Sequence, residues 1–586
     1  MRGIFFIGQP LLTERLTNTM QHKGPSMRPL PIGIDDFEKI ISQNYHYVDK
    51  SLFIKELLDY AAGVTLIPRP RRFGKTLNLS MLKYFFEKTA ISRASLFDGL
   101  NIAKHPEYMK HQGQYPVIFL TFKFIEGETW EMCFEKMKRL IANEFERHAY
   151  LLESVALSPF RKKEFQKIIE LSASDTAYEV SLKDLTMYLA KHHNQKPIVL
   201  LDEYDVPMQN GFKNNYYNKA AQFMRLFIGD GLKGNDYLNF GVITGCMRIS
   251  KESIFTGLNN PDVCTILGDA YSDKFGLLES EVKSLLKECG IETCQQTCME
   301  EIRAWYNGFS SGHHTIYNPW SIINFINKKC EFNSYWVNSS SNDIIKKLIK
   351  NSDEEVKEEI AQLLQGKTIC KRVDENIVFA DLDEGQQTAL WNFLLFSGYL
   401  SFKNLRLDGT HRVADLFIPN KEIVSIYEST ILGWFSNKEI RYNTMLQYLV
   451  DGNITEFTKL FEKFVIISFG YFDVGNQEAE NFYHAFVLGI LATLATTHFI
   501  TSNRESGLGR YDVKIAPHDK TKPAIIIEFK KVEPDEHETL ESAAASALQQ
   551  ITNKRYAIEL EHIGYTHIIP LAIVFKGKQV LVRRGL

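Results

Sequence analysis

Residues 64–86 read VTLIPRPRRFGKTLNLSMLKYFF: a β-branched run, a loop closing on Gly74-Lys75-Thr76, then apolar residues at helical spacing. A strand that feeds a helix through such a loop narrows the fold sharply. The helix N-terminus stands at the C-terminal end of the strand, where unpaired backbone N–H groups can cradle an anion, and that arrangement belongs to a parallel α/β sheet. The loop takes the place of G-x-x-x-x-G-K-[ST], the Walker A pattern, with Gly74 as its second glycine and Arg69 where the first would be. Lys75, read as a solvent-facing charge, is expected to reach the β- and γ-phosphates of ATP, and the Thr76 hydroxyl to hold Mg2+. Arg69, Arg71 and Arg72 are expected to add charge that the altered loop no longer supplies through its backbone.

The stretches YPVIFLTF (115–122), PIVLLDEYD (197–205) and LNFGVITG (238–245) are unalternating apolar runs, as expected of strands buried on both faces of a sheet. Helical segments lie between them, which predicts a P-loop NTPase domain over residues 27–265, a parallel sheet with helices on both faces. In LLDEYD, Asp202 and Glu203 leave the end of a buried strand as a Walker B pair would. Asp202 is placed to bind Mg2+ through Thr76 or water and Glu203 to polarise the attacking water, on a strand neighbouring that of the loop. Thr244 at the tip of the third run and Arg248 beyond it are candidates to sense the γ-phosphate. Basic loops and acidic strand ends are common surface features, so the order of the two motifs carries the reading.

Residues 266–440 read as a helical domain with aromatic turns such as WYNGFSSG (305–312), and SDEEVKEEIAQLLQGK (352–367) as a solvated helix face. Residues 441–586 read as a third unit, α/β: a helix over 480–495, strands at RYDVKIA and AIIIEFK, an Ala-rich helix, and a closing strand at PLAIVF. Alternation along AIIIEFK puts Ile525, Ile527 and Phe529 on one side and Glu528 with Lys530 on the other. Asp512 and Glu528 then offer two carboxylates to Mg2+, or alternatively Mn2+, for activating water against a phosphodiester, while Lys530 orients or helps deprotonate that water. Glu480 shares a helix face with Tyr483 and His484 and offers a further carboxylate. Gln550 ends the Ala-rich helix, and Tyr556 lies just beyond. A lone E-x-K is usually a solvated cross-strand pattern; the strands and helices around this one favour a catalytic site.

The bulk numbers exclude more than they assign. A chain of 586 residues exceeds what one core organises, and 44% hydrophobic with 24% charged residues leaves no case for a disordered or fibrous class. A net charge of -3 argues against a uniformly basic nucleic-acid coat, though not against a positive groove. Eight cysteines without paired C-x-x-C spacing support neither a disulfide framework nor a zinc ribbon, and Cys289, Cys294 and Cys298 with His313 and His314 match no common zinc pattern. No secretory signal follows Met1, and the apolar run 486–495 is too short to span a bilayer, so a cytoplasmic protein with no membrane partner is expected. Residues 1–26 read as an extension, with Met27 as the alternative start.

From Met27 onward the chain resembles a family of bacterial and archaeal proteins that carry an AAA-ATPase-like N-terminal domain and a C-terminal PD-(D/E)XK nuclease superfamily domain. The similar blocks include LPIGIDDFEKI, RPRRFGKTLNLSML, LLDEYD, TGCMRISKESIFTGLNN, YNPWSIINF, FYHAFVLGIL, GRYD and IEFK. The resemblance implies ATP binding at Lys75, Thr76, Asp202 and Glu203, a restriction-endonuclease-like α/β fold for residues 441–586, and within it a nuclease-like site at Glu480, Asp512, Glu528, Lys530 and Gln550. An ATPase coupled to cleavage of nucleic acid, DNA favoured over RNA, is the expectation, and a homo-oligomer is compatible with it. The competing expectation is a regulatory ATPase whose nuclease-fold domain binds nucleic acid or a protein partner without cutting.

Overall fold

The structure is a computed structural model. It describes residues 28–248, 261–291, 296–339, 343–350, 352, 354–364, 366–375, 387–434, 442–468, 494, 497–506, 509–532, 538–576 and 579–585. Two compact units result: the described residues up to Ile345 with Cys370–Ile423, and Lys346–Ile369 with the described residues from Val424 onward.

In the first unit the buried apolar runs become strands β1 (Val64–Pro68), β2 (Val117–Thr121), β3 (Ile198–Asp202) and β4 (Gly241–Gly245), joined by a short β5 (Asp262–Val263). All pair in parallel in the order β2-β3-β4-β1-β5. Every residue of β3 and β4 is buried, which explains why neither run alternates. The strand bearing Asp202 is therefore not the neighbour of β1, as expected from sequence, because β4 is inserted between them. The outer edge of β2 is closed by side chains of the helix Trp130–Arg147: the Phe119 N–H donates to Glu144 Oε1 (2.9 Å) and Arg147 donates to the Val117 carbonyl. Two of the outward-facing backbone groups of this edge are thereby engaged by side chains, which blunts it as a template for a further strand.

The middle of the chain is largely helical, with a small hairpin, β6 (Phe309–Ser311) and β7 (His314–Ile316), and a three-stranded sheet of β8 (Ile369–Arg372), β9 (Ser401–Asp408) and β10 (His411–Phe417). The division between units falls inside this stretch rather than at its ends. Its helix Glu354–Leu364 is not wholly solvated, since Val356, Ile360 and Leu363 are buried at helical spacing.

The second unit is built on a mixed sheet, β11 (His498–Ser506), β12 (Gly509–Pro517), β13 (Ala524–Lys531), β14 (Ile568–Lys576) and β15 (Gln579–Arg584), in sequential order. Only β13 and β14 are parallel, and the helix Leu540–Asn553 makes the crossover between them. Its Ala543, Ala544 and Ala547 are buried with Ala572 and Val574, so small side chains let the helix lie close to the sheet. The expected helix over 480–495 falls outside the described residues, apart from Leu494. Among the described residues no helix is long and apolar enough to cross a membrane.

Candidate functional site

The helix Lys75–Phe86 starts from Gly74, whose left-handed backbone (φ 86°) a residue without a Cβ adopts at no steric cost. Within the first turn, Thr76 Oγ1 donates to Asp202 Oδ2 (2.8 Å) across the end of β4. Thr121 from β2 donates to the same oxygen (3.0 Å), and Thr244 from β4 donates to Oδ1 (2.8 Å). Three hydroxyls from three elements thus converge on one fully buried carboxylate. Burial, and after it the adjacent Glu203, raise its pKa against those hydrogen bonds.

Lys75 is not solvent-facing as expected but 3% exposed, its Nζ donating to the carbonyls of Arg69 (3.0 Å) and Pro70 (3.1 Å) and pairing with Glu203 Oε1 (3.2 Å). Burial opposes its charge, yet Cys246 and the carboxylates of Glu203, Asp205 and Asp202 together prevail and hold the ammonium above its ordinary range. Glu203 (φ 53°) and Arg72 (φ 67°) both carry left-handed backbone, which costs a non-glycine residue roughly 1–3 kcal/mol and persists where neighbours over-determine it. Asp205, which sequence reasoning missed, is buried and accepts from the N–H groups of Cys246 (3.0 Å) and Met247 (3.2 Å) and from Gln209 Nε2 (2.6 Å). Burial and Glu203 push its carboxyl up to about 6. Asp205 ends the block LLDEYD and Thr121 is the one polar residue near the end of the apolar run YPVIFLTF, which was the available signal; nothing in the sequence marked Gln209.

The three loop arginines do three different things, and only Arg71 stays with the acidic cluster. Arg69 turns inward and is wholly buried, donating to the carbonyls of Pro68 (2.9 Å), Cys264 (2.6 Å) and Ala270 (3.3 Å), so it shapes the loop and does not add phosphate-facing charge as expected. Arg72 lies over the Trp320 ring at 4.4 Å. Arg71 donates to Gln209 Oε1 (2.7 Å) and sits near Glu203 and Asp205. Arg248 stands half-buried beyond β4, and the described contacts do not join it to Asp202. Beside Gly74 opens a largely apolar pocket of about 90 Å3, lined by Leu30, Pro31, Val48, Leu77 and Leu277 among others.

In the second unit the register Val513↔Ile527 continues to place Asp512 opposite Glu528. The backbone ladder stops there, and the Phe529 N–H donates instead to Asp512 Oδ2 (2.8 Å). Glu528 is 2% exposed; Gln550 Nε2 donates to its Oε1 and lies 3.3 Å from the Tyr556 hydroxyl. Glu528 Oε2 is buried without a hydrogen-bond partner. Burial, then the Asp512 charge, push the Glu528 carboxyl up to about 8, with Lys530 pulling the other way. Glu480 lies outside the described residues, and among the described residues no three metal-binding side chains gather. The donor set nonetheless fits a hard divalent cation: two facing carboxylates, one with an unpartnered oxygen, suit an ion that keeps several of its waters. At Asp202 and Thr76 the all-oxygen donor set suits Mg2+ in the same way.

The fold and the two clusters define a two-part class of protein, a P-loop α/β domain joined to a mixed-sheet α/β domain with an acidic site. Residues 31–255 match the family model described as "Predicted AAA-ATPase", and residues 478–584 match that of the PD-(D/E)XK nuclease superfamily. The chain thus carries an AAA-ATPase-like domain followed by a PD-(D/E)XK nuclease superfamily domain. It is 26% identical over 323 residues to a protein of Azotobacter chroococcum mcd 1 named "Uncharacterized protein in vnfD 5'region". That match covers 53% of this chain and 54% of the relative, so the chain spans about half the length of the relative it matches.

Proposed function

We propose that the N-terminal domain binds and hydrolyses ATP with Mg2+, and that the C-terminal domain is a metal-dependent nuclease whose action on nucleic acid is coupled to the ATP state. The carrying observation is the 2.8 Å contact of Thr76 with Asp202 at the ends of parallel strands, with Lys75 on Glu203 beside it. On binding, Lys75 exchanges Glu203 and two carbonyls for phosphate oxygens, which frees the Glu203 carboxylate to accept a proton from the attacking water. The apolar pocket beside Gly74 seats the base. In the second unit Asp512 and Glu528 hold the cation, Gln550 fixes one Glu528 oxygen so that the other faces the site, and Lys530 orients the nucleophile. A bound divalent ion supplies water of lowered pKa and offsets charge on the phosphate.

A second reading, nucleic-acid or partner binding without cleavage, is favoured by one observation: without a cation Glu528 holds its proton up to about pH 8. Incubation of the purified chain with DNA and with RNA, with and without Mg2+ or Mn2+ and ATP, separates the two. Metal-dependent cleavage lost in Asp512→Asn supports the nuclease; retained binding with no cleavage supports the second reading. Equal cleavage by wild type and Lys75→Ala at every ATP concentration removes the coupling.

A further inference from the structure

Arg71 is gripped at both ends. Its carbonyl accepts from Trp336 Nε1 (2.9 Å), and Trp336 is buried with its own backbone N–H on the buried Glu422 carboxylate (2.5 Å). Its guanidinium donates to Gln209 Oε1 (2.7 Å), and Gln209 Nε2 donates to Asp205 Oδ2 (2.6 Å), the oxygen that also ties down the Cys246 and Met247 N–H groups beyond β4. A hydrogen-bonded chain therefore runs from the end of β4 through Asp205 and Gln209 to the loop arginine. Gln209 takes one of five guanidinium donors and, being neutral, orients the cation without discharging it. The side chain borders a small cavity of about 50 Å3 shared with Gln209, Cys246, Trp336 and Tyr399. Lys75 and Arg71, two cations of one loop, both stand in the field of Glu203, one on it directly and one beside it.

We propose that Arg71 is the cation that meets the terminal phosphate of a bound nucleoside triphosphate, and that Gln209 is its positioning residue. The site then distinguishes triphosphate from diphosphate using groups of a single chain. This rests on the ATP reading above. A guanidinium fork matches phosphate oxygens in pairs, and only the triphosphate presents the additional ones, so Arg71 contributes to triphosphate affinity and not to diphosphate affinity.

The test is equilibrium titration of the full chain in Mg2+ with ADP and with the β,γ-imido analogue of ATP, for wild type, Arg71→Ala and Gln209→Leu. Gln209 is half-buried at the surface and Arg71 exposed, and melting curves verify that both variants fold. Wild type is expected to prefer the triphosphate, and each variant to lose about tenfold in triphosphate affinity, the worth of one charge-assisted hydrogen bond, with ADP affinity unchanged. Parallel losses for both nucleotides in Gln209→Leu, or unchanged triphosphate affinity in Arg71→Ala, overturn the proposal while leaving the ATP reading standing. Wild type that binds neither nucleotide overturns the ATP reading and this proposal with it.

Discussion

Thr76 and Asp202, 126 positions apart in the chain, meet through a 2.8 Å hydrogen bond that bridges the end of the strand between them. The contact ties the first turn of the helix after the glycine-poor loop to the innermost carboxylate of the sheet. Around it, Lys75 is engaged by Glu203 and two carbonyls, and Asp205 by Gln209 and two backbone N–H groups, so removing one exposes the needs of its partner.

Lys75→Ala is expected to abolish nucleotide binding and also to lower the melting temperature without ligand. The substitution strips Glu203 and two loop carbonyls of their donor in a site where Lys75 is almost fully buried, a loss of about 1–3 kcal/mol. Thermal unfolding with and without ATP checks both; an unchanged ligand-free transition would show that the lysine is not structurally engaged.

Glu203→Gln should retain nucleotide binding and lose hydrolysis by roughly 10²–10⁴-fold, because the amide keeps the shape but cannot accept a proton. Phosphate release under saturating ATP measures it. Turnover within twofold of wild type would remove Glu203 from the chemistry.

Glu528 gives the second unit a pH dependence of known sign. Its folded carboxyl titrates at about 8, above the ordinary 4.5, so its contribution to stability is complete below about pH 4.5 and is lost as pH rises through 8. In a chelator, the transition of the unit containing Glu528 should fall in temperature between pH 5 and 8, and Glu528→Gln should flatten that slope. Mg2+ or Mn2+, which binds the ionised form, should stabilise more at pH 8 than at pH 6. A slope identical in Glu528→Gln would assign the dependence to other groups.

Asp512→Asn keeps an oxygen for the Phe529 N–H but removes the charge facing Glu528. The metal-free protein should therefore melt no lower than wild type, while both stabilisation by divalent cations and metal-dependent cleavage disappear. Melting curves with and without Mn2+, beside a cleavage assay, check it, and metal stabilisation equal to that of wild type would refute it.

Gly398 has a left-handed backbone (φ 89°), and a Cβ there would lie 2.9 Å from the Pro70 ring. Gly398→Ala should displace the loop and weaken ATP binding, at a stability cost of about 1–3 kcal/mol. Isothermal titration alongside unfolding reads the two effects separately.

Local pattern in the sequence carried much of this. Unalternating runs announced β2, β3 and β4, alternation along AIIIEFK put Glu528 and Lys530 on one face, and strand ends marked Asp202 and Glu203, because side-chain period and burial are properties of short segments. Strand order was not legible in that way. The insertion of β4 between β1 and β3, which places Thr244 on Asp202, depends on which distant runs pair, and no local period encodes that choice. Arg69 looked like a phosphate ligand until its acceptors proved to be carbonyls at Cys264 and Ala270, 195 and 201 positions away. Residue type and spacing thus determined which groups stand at strand ends and helix starts. Which of them turn inward, which are buried and which face one another was decided by tertiary packing, because a buried donor takes whichever acceptor the fold brings within reach.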